Sequence, residues 1–208
     1  MMEEFVKTAG KESKREVQES YPLTNTQEGI FIECTANMGS TIYNIPYLLK
    51  LDNKVDLDRL AEAIDSTVEA HPYLKTRLFM DDNGNVLQKR NDGLSYKTPI
   101  LNGMNRDTLV RPYMLFNEQL FRFEIHRTCD GNYLFLDIHH IVADGTSLGI
   151  ILNDINRAYS GEKLEVEEYT SYDLALDNRD ALASDAYKNA ENYYKSVFEN
   201  AGGSINFY

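Results

Sequence analysis

The sequence predicts an α/β domain in which a mixed β-sheet is flanked by helices. Three features carry this. Apolar residues recur at helical spacing in two segments, around 56–71 and 148–159. Short runs rich in aromatic and β-branched residues lie between them. Pairs of those runs are joined by turns so short that their strands must be antiparallel, so the sheet is mixed and not purely parallel. The 208 residues can bury a sizeable core, and 42% hydrophobic with 11% aromatic residues argue for a folded chain.

Taken in order, residues 1–20 read as a polar lead-in or linker and 21–208 as one folded unit. Thr24 caps a short helix over 25–31, with Gln27 completing a capping box. Residues 43–51, rich in Tyr, Ile and Leu, form a strand. Asp56 then opens a helix whose stripe is Leu57, Leu60, Ala61, Ile64, Val68 and His71, closed by Pro72. Its Asp58, Glu62, Asp65 and Glu69 make a solvated face. A strand over 74–80, a turn at Asp81 to Gly84 and a return arm over 85–89 follow. Residues 105–112 are expected to be a short helix. Strands 120–127 and 133–139 flank a turn at Cys129 to Asn132, with Phe121, Phe123 and Ile125 on one face. An amphipathic helix then carries Leu148, Ile151, Leu152, Ile155 and Tyr159, and Gly161 stops it. An irregular acidic segment, 162–182, precedes a final helix over 183–199, and 204–208 resemble a strand beginning.

Composition narrows the function. Twenty-one basic against 33 acidic side chains give a net charge of -12, a field that disfavours nucleic acid as the main ligand. No run approaches the roughly 18 apolar residues of a membrane helix, and the N-terminus lacks a signal-peptide core, so a cytoplasmic protein is expected. Cys34 and Cys129 are too few for a disulfide framework or a thiolate metal site and read as small core residues, with a reactive thiol as the alternative.

The chemistry concentrates between Tyr133 and Ser147. In a strand, Leu134, Leu136, Ile138 and His140 share one face, and Tyr133, Phe135, Asp137 and His139 the other; both faces are substantially apolar. A histidine ending such a strand faces a packed interior yet stays within reach of a ligand. Asp144 and Gly145 bend the chain sharply, and Thr146 or Ser147 caps the next helix, bringing a positive helix end beside the histidine. A general base beside such a site is what acyl transfer needs. Asp144 is positioned to pair with an arginine and lock the bend, while Gly145 leaves room for a substrate. Other readings stand beside this one. The His-His pair also reads as a hydrogen-bonded core element. The His140–Asp144 spacing suits a metal on a helix, but Asp-Gly breaks the helix and no third ligand lies near. Ser147 is better used as a cap than as a nucleophile.

His139-His140-Ile141-Val142-Ala143-Asp144-Gly145 resembles the H-H-x-x-x-D-G signature of nonribosomal peptide synthetase condensation domains, a branch of the chloramphenicol acetyltransferase-like acyltransferases. The run from Leu23 to Ile30 resembles that family's opening motif, built around Gln27. His71 to Arg77 resembles its R-H-E-x-L-R-T motif, with Ala70, Pro72 and Lys75 departing from it and Arg77 as a substitute cation. Ser171 to Ala175 is similar to its Y-x-D-F-A motif. The resemblance runs from about residue 21 to the end.

It implies an acetyltransferase-like two-layer sandwich, the N-terminal half of a condensation domain whose two halves form a V. It implies amide-bond formation between acyl and amine groups carried on the phosphopantetheine of donor and acceptor carrier proteins, with no cofactor or metal bound directly and a missing C-terminal half as partner. His140 is then the catalytic histidine, as base or as positioning group. His139 and Asp144 hold the loop, and Gly145 contacts the oxyanion or the substrate channel. Epimerisation and cyclisation variants share the signature. A stand-alone trimeric acetyltransferase and a catalytically silent carrier-binding half are the alternatives, and an isolated half is expected to be poorly active.

Overall fold

The computed structural model describes residues 16–116 and 118–200. Most of the expected lead-in and the expected strand at 204–208 lie outside the described residues.

Two sheets form instead of one. Strand β1 (Tyr21–Pro22), β3 (Thr76–Met80) and β4 (Val86–Arg90) make a small antiparallel sheet in the order β1-β4-β3. Strands β2 (Asn44–Lys50), β5 (Ile100–Asn102), β6 (Phe121–Thr128) and β7 (Gly131–His139) make a mixed one in the order β2-β7-β6-β5. There β7 is antiparallel to both neighbours, while β5 runs parallel to β6. The helices are α1 (Asn25–Ala36), α2 (Leu57–Ala70), α3 (Gly145–Tyr159), α4 (Ser171–Ala183) and α5 (Asp185–Asn200).

The local rules explain most boundaries. Thr24 caps α1 in a capping box with Gln27, and Asp56 caps α2 through the amides of Asp58 and Arg59. Gly84 and Gly161 sit at positive φ, at the β3–β4 turn and just past α3, where residues with a Cβ are strained. In the large sheet, Phe121, Phe123 and Ile125 stand opposite Ile138, Leu136 and Leu134. This face is buried against Ile64, Val68, Ile151 and Ile155 of α2 and α3. Each such side chain contributes roughly 1.5–3 kcal/mol by leaving water.

The other face departs from expectation in part. Tyr133 and Phe135 are buried there as expected with Asp137 and His139, but Glu124 and His126 of β6 join them, so this side of the sheet is hydrogen-bonded as well as apolar.

Several elements differ from the sequence reading. Helix α1 continues five residues past Phe31 to Ala36. Residues 72–75 form a 3-10 turn because Pro72 starts a new helical turn, which delays β3 to Thr76. Residues 105–112 hold only a 3-10 turn, Arg106–Thr108, capped by Asn105. The segment read as irregular contains α4, opened by a capping box between Thr170 and Asp173. Cys129 is exposed in the β6–β7 turn and is not a core residue, whereas Cys34 is partly buried.

Among the described residues β2 is an edge strand. Tyr43 accepts from the His140 amide and Leu51 donates to Asn132, so odd-numbered residues bond to β7 and even ones, Pro46 included, face outward. Among the described residues no helix is long and apolar enough to cross a membrane.

Candidate active site

Strand β7 delivers the two histidines to opposite sides. The alternation expected from the sequence holds, and burial separates their roles. His139 is 4% exposed and packed edge-on against Tyr113, ring centroids 5.5 Å apart. Its Nδ1 accepts the amide hydrogen of Ile141 at 3.1 Å, so that nitrogen carries no proton. Nε2 therefore bears the hydrogen and donates to Cys34 Sγ at 3.6 Å. Burial lowers the His139 pKa to about 4, with the charges of His140 and Arg122 adding to it. The imidazole is a neutral strut that closes the turn after β7.

His140 points the other way and is exposed, its ring edge-on to that of Tyr43 at 6.4 Å. The expectation of a ring facing a packed interior is corrected: no second wall covers it among the described residues. Its backbone is nonetheless fixed. The His140 amide donates to Tyr43 O at 2.7 Å, and the carbonyl of Ile141 accepts from Gln27 Nε2 at 2.8 Å.

Asp144, and neither Thr146 nor Ser147, is the N-cap of α3. Its carboxylate accepts the amide hydrogen of Ser147 at 2.8 Å, and the Asp144 amide donates in return to Ser147 Oγ at 3.3 Å. The Ser147 amide holds the Asp144 carboxyl below its usual range. The expected arginine partner is replaced by this capping box, and Lys75 pairs with Glu69 at 2.5 Å. Gly145 is the first residue of α3, and a Cβ there would meet nothing within 4 Å, so the position opens directly to its surroundings. Behind the loop lies a cavity of about 90 Å³ lined by His71, Tyr73, Leu74, Val142, Ala143 and Ile151. Among the described residues no three His, Cys, Asp or Glu side chains are gathered as a metal centre.

The structure thus brings His139, His140, Asp144 and Gly145 into one turn. It adds residues that sequence reasoning did not assign to the site: Cys34, Tyr43, Tyr73, Gln88 and Tyr113. Gln88 had a legible signal, since it is an uncharged polar residue at an inward position of a strand. Tyr113 had none, because it lies in a loop distant in sequence.

The family model described as Condensation domain matches residues 17–206. Among curated proteins, surfactin synthase subunit 2 of Bacillus subtilis (strain 168) is 30% identical over 189 residues, covering 88% of this chain and 5% of that protein. Tyrocidine synthase 3 of Brevibacillus parabrevis is 28% identical over 207 residues, covering 94% of this chain and 3% of that protein. The chain therefore spans only a small fraction of the length of these relatives. Among solved structures, the starter condensation domain of the rhizomide synthetase RzmA superposes with a TM-score of 0.72 at 16% identity, over 86% of this chain and 48% of that one. The condensation domain of the Monacolin K polyketide synthase MokA gives 0.70 at 21% identity, over 88% and 43%. These structures share the fold, and a family model that matches the sequence almost throughout decides what the histidine turn by itself left open: the chain belongs to the condensation domain family.

Proposed function

We propose that this chain supplies one half of an amide-forming site in a nonribosomal peptide synthetase, and that His140 serves the reacting amine. The observation that carries the reading is the division of labour in the histidine pair. His139 is buried, neutral and used up by its two hydrogen bonds, while His140 is pinned through its backbone and its exposed ring makes no hydrogen bond among the described residues. An imidazole suits proton transfer near neutrality.

The substrates are an acyl thioester and an amine, each on the phosphopantetheine arm of a carrier protein. The amine nitrogen attacks the thioester carbonyl carbon, a C–N bond forms, and the C–S bond breaks. An α-amine with a pKa of about 8 is largely protonated at neutral pH, so a group that accepts its proton aids attack. His140 takes that proton, and the departing thiolate recovers one as free thiol. Asp144 and His139 hold the turn, and Gly145 leaves the approach to it open.

The coverage of about half of the solved condensation domains supports a two-part site, in which a second subdomain walls off the exposed face of His140. Excluding water there strengthens every polar interaction with the reacting groups. The test is single-turnover product formation with donor- and acceptor-loaded carrier proteins, using this chain with and without a second condensation subdomain. Product is expected only with the second subdomain, and not with His140→Ala. Efficient synthesis by this chain alone, or by His140→Ala, overturns the reading.

A further inference from the structure

Three buried side chains close a hydrogen-bonded ring behind the histidine turn. Gln27 Nε2 donates to the Tyr73 hydroxyl at 2.7 Å. That hydroxyl donates to Gln88 Oε1 at 3.0 Å, and Gln88 Nε2 donates back to Gln27 Oε1 at 3.1 Å. The surroundings fix which end of each amide carries the hydrogens. Gln27 Nε2 also lies 2.8 Å from Ile141 O and 3.1 Å from Gln88 Oε1, and Gln88 Nε2 donates to Pro22 O at 2.8 Å; carbonyls only accept. Gln27 Oε1 also takes the amide hydrogen of Thr24 at 2.9 Å. Burial holds the Tyr73 phenol far above its usual range, so it keeps the proton it donates. Gln27 is 6% exposed and Gln88 fully buried, and each donor in the ring has an acceptor. Fully satisfied buried networks of this kind are rigid, because breaking any one bond strands a polar group.

We propose that this ring positions His140, with Gln27 as the residue through which it acts; the proposal rests on the role assigned to His140 above. Ile141 follows His140 directly. The His140 amide is tied to Tyr43 O, so the main chain is clamped one step before the imidazole and one residue after it. Among the described residues no hydrogen bond holds the His140 ring itself, so its aim is inherited from that clamp. Through Pro22, Thr24, Tyr73 and Gln88 the clamp is anchored on β1, the start of α1, the turn before β3, and β4. Gln27 is a positioning residue, not a catalytic one.

The test uses this chain together with a second condensation subdomain. Gln27→Met keeps the length of the side chain and removes its amide. Single-turnover product formation is expected to slow by about 10–100-fold with unchanged apparent affinity for the acceptor, because small misplacements of a reacting group cost that much. Ile64→Val, a packing change in α2 away from the turn, is the stability control and keeps its rate. Tyr73→Phe removes the bridging hydroxyl but leaves the Gln27–Gln88 and Gln27–Ile141 bonds, so it slows the reaction less than Gln27→Met does. A second readout needs no activity: in this chain, hydrogen exchange of the His140 amide speeds up in Gln27→Met and not in Ile64→Val. If Gln27→Met does not fold, Tyr73→Phe must raise that exchange rate. A Gln27→Met rate within about twofold of the control, or His140 exchange unchanged in the folded variants, overturns the proposal. A fully active His140→Ala would instead overturn the function above, leaving the exchange result to stand by itself.

Discussion

Arg122 and Asp137 face each other across β6 and β7, the guanidinium Nη1 3.2 Å from a carboxylate that is 0% exposed. Asn44 Nδ2 supplies a second donor to the same oxygen at 2.8 Å. Burial pushes the Asp137 carboxyl above its usual range, and Asn44 and Arg122 oppose that. The guanidinium lies 3.6 Å from the centroid of the Tyr113 ring, which stands perpendicular to the ring of His139. The pair therefore underpins the floor on which the buried histidine rests.

Arg122→Met leaves that carboxyl without its cation. Breaking one side of a buried pair costs about 3–5 kcal/mol, to be read from urea unfolding at neutral pH. An acid whose folded pKa is raised binds its proton more tightly when folded, so its contribution to stability falls as pH rises above about 4. The loss in Arg122→Met is thus smaller in mild acid than at neutrality. A variant as stable as the parent at neutral pH would show that the pair contributes nothing.

His71 is a cation-favouring site. Its Nδ1 lies 3.5 Å from Glu167 and its Nε2 2.9 Å from Asp154. Hydrogen bonding to Glu167, then to Asp154, raises its pKa against the opposing effect of burial. The resulting stability is fully present below about pH 6.5 and is lost as pH rises through the folded value. Urea midpoints of the parent and His71→Gln should differ most in mild acid and converge at alkaline pH. A constant gap would rule out the charge-based origin.

His139 behaves in the opposite sense. With its folded pKa near 4, it contributes stability above about pH 6.5 that drains away as pH falls toward 4, on the order of 3 kcal/mol in all. Imidazole nitrogen shifts should hold the Nε2–H tautomer from neutrality down to about pH 5. An Nδ1–H tautomer at neutral pH would contradict the Ile141 bond.

Asp144→Ala removes the cap of α3 and is expected to cost about 1 kcal/mol, within a range of roughly 0.5–2. Asp144→Asn keeps an oxygen acceptor and should cost only a few tenths. Thermal unfolding of the two variants side by side separates capping from charge: equal losses would mean that the charge, and not the hydrogen bond, matters.

What could be read from the sequence follows the range of the interactions. The caps at Thr24 and Asp56, the turn at Gly84 and the β6–β7 hairpin depend on residues within a few positions of each other, and they were legible. So was the placement of His139 and His140 on opposite faces, which alternation alone dictates. Which face would be covered was not, because the cover comes from Tyr113 and Cys34, far along the chain. Helix α4 was missed because it buries few residues, and one of them, Tyr172, stacks on Tyr21 near the other end of the chain. The ring around Gln27 needs four separate segments at once, so no local pattern announces it.

Pro46 gives the outer edge of β2 a further property. Leu48 and Leu49 are 38% and 41% exposed beside it, the makings of an adhesive border open to extension by another chain. A proline has no N–H to offer, and here its nitrogen faces away from β7. A strand added at this border would meet a missing rung midway along the ladder, which disfavours its extension by another chain.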